Sequence, residues 1–164
     1  MIWRGMFRPG MRAYIIPLSA GVALAVSAFL PWIVVGDVAM VWFPDATALW
    51  IAGLGIAAAV LATLSLITRR NSRHPLLLVG LVALGITLLA SRILPQTIAA
   101  RARTRSQAIA IVDHAPEGEV PIVTVGHGLY LGLAASVVLV GFGLTIVVKR
   151  ASQPYVVSDP NDDI

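Results

Sequence analysis

Four stretches of this chain are almost free of charge over the length that a helix needs to cross a hydrocarbon layer, and no other feature limits the fold as strongly. A bilayer core of about 30 Å takes roughly 20 helical residues at about 1.5 Å each. The stretches cover residues 13–35, 46–68, 75–94 and 128–148. The single charge inside them is Arg92, close to the end of the third, where its long stem reaches an interface. Only 12% of the 164 residues are charged, and 58% are hydrophobic. An average soluble domain carries about twice that charge, and a small one cannot cover its surface with less. The predicted fold class is therefore an all-α membrane protein, a left-handed four-helix transmembrane bundle. A single membrane domain spans 1–150, and the polar residues 151–164 form a disordered tail.

The punctuation agrees with four helices. Pro17 falls in the first turns of the first span, and Pro31-Trp32 lie near its far end. Asp45 precedes the second span and Arg69-Arg70 follow it. Pro75 opens the third, Pro95 lies just beyond it, and Lys149-Arg150 end the fourth. Arg4, Arg8 and Arg12 before Ala23-Leu24-Ala25 resemble a cleavable signal. The apolar run continues ten residues further to Val35, however, so this segment reads as an uncleaved span.

Lys and Arg set the expected orientation. Eight flank the ends shared by the N-terminal segment, the Arg69–His74 loop and the tail; four (Arg92, Arg101, Arg103 and Arg105) belong to the other side. With the acids included, the sides carry +5 and −1. Both termini are thus placed in the cytoplasm of a multi-pass protein of the bacterial inner (plasma) membrane. The outer loops are 36–45 and 95–127.

A 33-residue outer loop calls for structure of its own. Gln107–Val112 (QAIAIV) and Val120–Val125 (VPIVTV) are β-branched runs around Pro116-Glu117-Gly118. They predict a hairpin, with Ile33–Trp42 adding a strand, so that a small extracytoplasmic β-cap closes the bundle. Pro121 predicts an edge strand, or one that starts late. Between span three and these runs, PQTIAARARTRSQ reads as a helix that places Arg101 and Arg105 on one face. Arg101, Arg103 and Arg105 form an outer basic patch, suited to lipid headgroups or to an acidic partner.

The spans hold no Asp, Glu, Lys or His in their interiors. Pumps, coupled carriers and intramembrane proteases work through ionisable groups at that depth, so these classes are disfavoured. Cysteine is absent, which removes thiolate metal sites and cysteine nucleophiles. Asp113, His114, Glu117, Glu119 and His127 gather in the second outer loop without a ligand spacing and read as a solvated turn. No metal, cofactor, catalytic group or nucleic-acid partner is expected.

Small residues recur at helical spacing. Gly128, Gly132 and Ser136 form a GxxxGxxxS ridge on span four; Gly53 and Gly55 lie in span two and Gly21 in span one. Such residues let helix backbones approach where lipid supplies no hydrophobic drive. They serve packing inside the bundle or an interface with a partner helix. Trp32, Trp42, Trp50 and Tyr130, with Phe29 and Phe43, predict an aromatic belt at the outer interface, and Trp3 and Tyr14 one at the inner.

Phe29-Leu30-Pro31-Trp32, Ala48-Leu49-Trp50 before a Gly-rich span, and Val125-Gly126-His127-Gly128-Leu129-Tyr130-Leu131 together resemble small bacterial four-span membrane proteins of unassigned function. The topology is similar to that of claudin-like proteins, without the paired cysteines or the long first loop of the claudins. The resemblance implies a fold and no catalytic residues. The expected function is a non-catalytic accessory or scaffold subunit of a larger membrane complex. It would dock other integral membrane subunits through small-residue faces and the outer loop. A lipid- or quinone-binding protein and a small pore-forming homo-oligomer are the alternatives.

Overall fold

The computed structural model describes residues 12–41, 45–68, 73–113 and 122–151. A 3-10 turn, Arg12–Tyr14, leads into helix α1, Ile15–Ser27. Strands β1, Pro31–Val35, and β2, Val38–Val41, follow. Next come helices α2, Ala46–Thr68, and α3, Arg73–Asp113; strand β3, Val123–Val125; and helix α4, His127–Ala151. Three of the helices, α2 to α4, are long and apolar enough to cross a membrane; α1 has 13 residues and is shorter.

The expected first span, 13–35, therefore divides into a helix and a strand. The cause is Pro31. A continuing helix needs a donor at position 31 for the Ser27 carbonyl; proline has none and disfavours helical geometry at Leu30. The indole Nε1–H of Trp32 donates to that carbonyl instead, at 2.7 Å. Ala28 N–H donates to Ala25 O, Phe29 N–H to Val26 O, and Ser27 Oγ to Leu24 O. Each carbonyl from Leu24 to Ser27 thus has a partner within the chain, as a buried helix end requires.

The three strands form one antiparallel sheet in the order β2-β1-β3. Gly36, at φ 58°, begins the two-residue turn between β1 and β2, where the favoured hairpin turns need a positive φ. Pairing runs Val35↔Val38, Val34↔Ala39 and Ile33↔Met40, then shifts, so that Pro31 faces Val41. Trp32 is the extra residue of that bulge. A strand normally alternates inside and outside, yet Trp32 and Ile33 are both buried, at 0% and 1% exposure. The bulge re-aims one side chain and so permits this.

The hairpin thus comes from the first outer loop, and the second loop contributes one edge strand, the reverse of the expected division. Gln107–Val112 is helical, the final part of the 41-residue α3. The alanines at 99, 100, 102, 108 and 110 favour helix over this whole window and outweigh three β-branched residues at its end. Pro95 lies inside α3 rather than ending it; it leaves the Ser91 carbonyl without its helical donor and crowds it, a defect that a helix can take up as a kink instead of a break. The expectation that Pro121 would leave a late-starting edge strand agrees with β3, which begins at Val123.

The helices run antiparallel, with α1 against α2, α3 against α4 and α1 against α4; α2 meets α3 along the thinnest seam. The core runs from Tyr14 and Phe142 at one end, through Leu24, Ile51, Ala83 and Leu139, to Trp32 and Leu129 beneath the sheet.

Candidate functional site

Among the described residues, the buried polar side chains are Ser27, Ser65, Thr87 and Ser136. Each returns its hydroxyl to its own helix: Ser65 Oγ to Leu61 O, Thr87 Oγ1 to Ala83 O, Ser136 Oγ to Leu133 O, and Ser27 as above. The bundle interior is otherwise apolar. Asp37, Asp45, His74, Arg92, Arg101, Arg103, Arg105 and His127 are all exposed. No group of three or more potential metal ligands occurs among the described residues. His127 opens α4, while His114, Glu117 and Glu119 lie outside the described residues.

The small-residue ridges meet within the chain. A Cβ placed on Gly21 would lie 2.7 Å from Ala59 N, and one on Gly55 would lie 2.8 Å from Ala25 Cα. Gly21 and Ala25 on α1 thus interlock with Gly55 and Ala59 on α2, each pair four residues apart, and the two backbones touch. On α4, Gly128 lies under Trp32 and Leu30, and Gly132 faces Ser27 Oγ and Thr87 Cγ2 at 3.1 and 3.4 Å from an added Cβ. Ser136 is buried one turn further on. Gly53 differs, with nothing within 4 Å of an added Cβ; it lines a shallow groove on the outer face of α2 beside Leu49, Trp50 and Ala57.

A second small-residue seam was not anticipated. Gly80, Ala83, Thr87 and Ala90 are buried along one face of α3. Gly80 abuts Val140 and Leu139, while Gly143 on α4 abuts Leu77. The signal was legible as a three-four-three spacing of small residues, hidden among the leucines that surround it.

The aromatic expectations need two corrections. Trp32 is fully buried, because it caps α1, and is no belt residue. Tyr14 is 4% exposed and packs edge-on against Phe142, with ring centroids 5.3 Å apart, so it belongs to the core. Trp50 and Tyr130, in the first turns of α2 and α4, are 67% and 62% exposed at the sheet end of the bundle. Trp42 lies outside the described residues.

Two further features of the described residues face the surroundings. The first is the far part of α3. Its 19 residues from Pro95 to Asp113 extend about 28 Å at about 1.5 Å each. Ile98 packs on the core below the sheet. Beyond it, Arg101, Arg103 and Arg105 project around this arm, and Ile109, Ile111 and Val112 are exposed near its tip. The second is a groove of about 330 Å³ in the α2–α3 seam, lined by Ala46, Thr47 and Trp50 from α2 and Ile86, Leu89, Ala90, Ile93 and Leu94 from α3. Neither the family models, nor the curated proteins, nor the solved structures compared with this chain include a match to it.

Proposed function

We propose that this chain is a multi-pass protein of a bacterial inner membrane and serves as a non-catalytic accessory or scaffold subunit of a membrane complex. The observation that carries the reading is the α3 arm. A helix that continues about 28 Å past its apolar section, with exposed Ile111 and Val112 near its tip, presents apolar surface where water would otherwise meet it. An interior whose described polar groups are all satisfied locally offers no relay for ions or protons and supports a structural role. The ridges of Gly21, Gly55, Gly128 and Gly132 are occupied within the bundle, so docking falls to the arm and its Arg103 rather than to those ridges.

Mild detergent extraction tests the reading. The wild-type chain is expected to elute in an assembly far larger than its 17.3 kDa in a micelle. Ile111→Asp combined with Val112→Asp should release it with its melting temperature unchanged. A wild-type chain that elutes alone would refute the subunit role.

The positive-inside bias places the sheet outside and both termini in the cytoplasm. Reporter fusions at Asn71 and Ile164 are expected to give cytoplasmic signals, and one at Glu117 an external signal. A cytoplasmic signal at Glu117 would reverse the topology. A 23-residue α2 spans about 35 Å, enough for a bilayer core, whereas α1 covers about 20 Å and falls short of one.

A further inference from the structure

We propose that the groove between α2 and α3 holds one anionic phospholipid from the leaflet at the sheet end; this rests on the membrane insertion proposed above, not on the subunit role. The groove opens sideways from the thinnest seam of the bundle, and Thr47 is its one polar lining residue. The rest of its lining is aliphatic and aromatic, which suits a lipid tail.

Charge selects the headgroup. Arg101 lies seven residues after Leu94 and so returns to the groove side of α3, about 10 Å above it. Helical side chains tilt toward the N-terminus, which lets the long Arg101 side chain reach back toward the mouth of the groove. Thr97, exposed on the same face, lies between. Arg101 is exposed, and Arg105, exposed as well, adds positive charge one turn higher. Asp45, beside Ala46 at the rim, opposes an anion; it is held there by its role at the start of α2, where Oδ2 accepts from Thr47 N–H at 3.3 Å. Arg92 points to another side of α3 and takes no part in the lining.

Native mass spectrometry of the full chain, titrated with phosphatidylglycerol or with phosphatidylcholine of the same acyl chains, tests this. One phosphatidylglycerol per chain is expected to be retained, in preference to phosphatidylcholine. Arg101→Ala should weaken retention about fivefold, the effect of one basic residue at a lipid surface. Asp45→Asn should strengthen it, and Arg92→Ala should leave it unchanged. Ile93→Trp, at a half-exposed rim position, should block both lipids without disturbing the core. Equal retention of the two lipids, indifference to Arg101→Ala, or full retention in Ile93→Trp would overturn the proposal. A lipid-free dimer would do so too, by showing a second copy over the groove. A solitary chain that retains phosphatidylglycerol would refute the subunit role and leave this site standing.

Discussion

Gly55→Ala is expected to lower the melting temperature of the detergent-solubilised protein sharply, while Gly53→Ala, two positions away, should raise it. The added methyl at 55 would meet Ala25 Cα and Gly21 O, both at 2.8 Å. These are backbone atoms of α1 and cannot rotate aside, so the helices must separate along the whole crossing. Overpacking costs about 1–3 kcal/mol where side chains absorb it, and this site falls at or above that range. A methyl at 53 meets nothing and restricts the unfolded chain, which favours helix by up to about 1 kcal/mol. Gly132→Ala should lie between them, since its nearest neighbour, Ser27 Oγ, is a side-chain atom at 3.1 Å. Thermal unfolding followed by circular dichroism separates the three. Equal melting temperatures for the variants at 53 and 55 would show that α1 and α2 are not in backbone contact.

Trp32→Ala is expected to cost about 3–5 kcal/mol, the range for emptying a buried aromatic site. Two roles are lost together: the ring that fills the space above α1, and the donor to the Ser27 carbonyl. Trp32→Phe separates them. It keeps most of the packing and removes the hydrogen bond, so it should cost about 1 kcal/mol, with Leu30 N–H still on that carbonyl at 3.3 Å. Denaturant titration of both variants checks the ratio. If phenylalanine proves as damaging as alanine, the indole N–H and not the ring volume secures the end of α1. If neither has an effect, Trp32 does not hold α1.

The four apolar stretches, their order and the small cap were legible because length and absence of charge are properties of single segments. The same holds for the first part of the arm, where alanine-rich composition announces helix from Pro95 to Gln107. What escaped the sequence depends on distant partners. Trp32 has the composition of a belt residue, and only Gly126 and Gly128, about a hundred positions later, make room to bury it. Gln107–Val112 and Ile33–Val41 are both β-branched, but only the second has a Gly36 able to turn back on itself. The ridge on α4 was visible as a spacing, whereas its neighbours Ser27 and Thr87 follow from the packing of three helices at once. Pro31 was noted near the end of its span, yet its full effect follows from an acceptor four residues earlier that finds its substitute donor only through a bulge.

The position of β1 at the centre of the sheet has a consequence for how a chain is finished. Residues 31–35 are made before α2 and α3, and β3 and α4 after them. Until Val123–Val125 have been made, β1 has one neighbour rather than two, and until Gly126 and Gly128 exist the chain that buries Trp32 is not there. β1 and Trp32 therefore wait, already made, for a segment synthesised only after α2 and α3, and acquire their native surroundings with it.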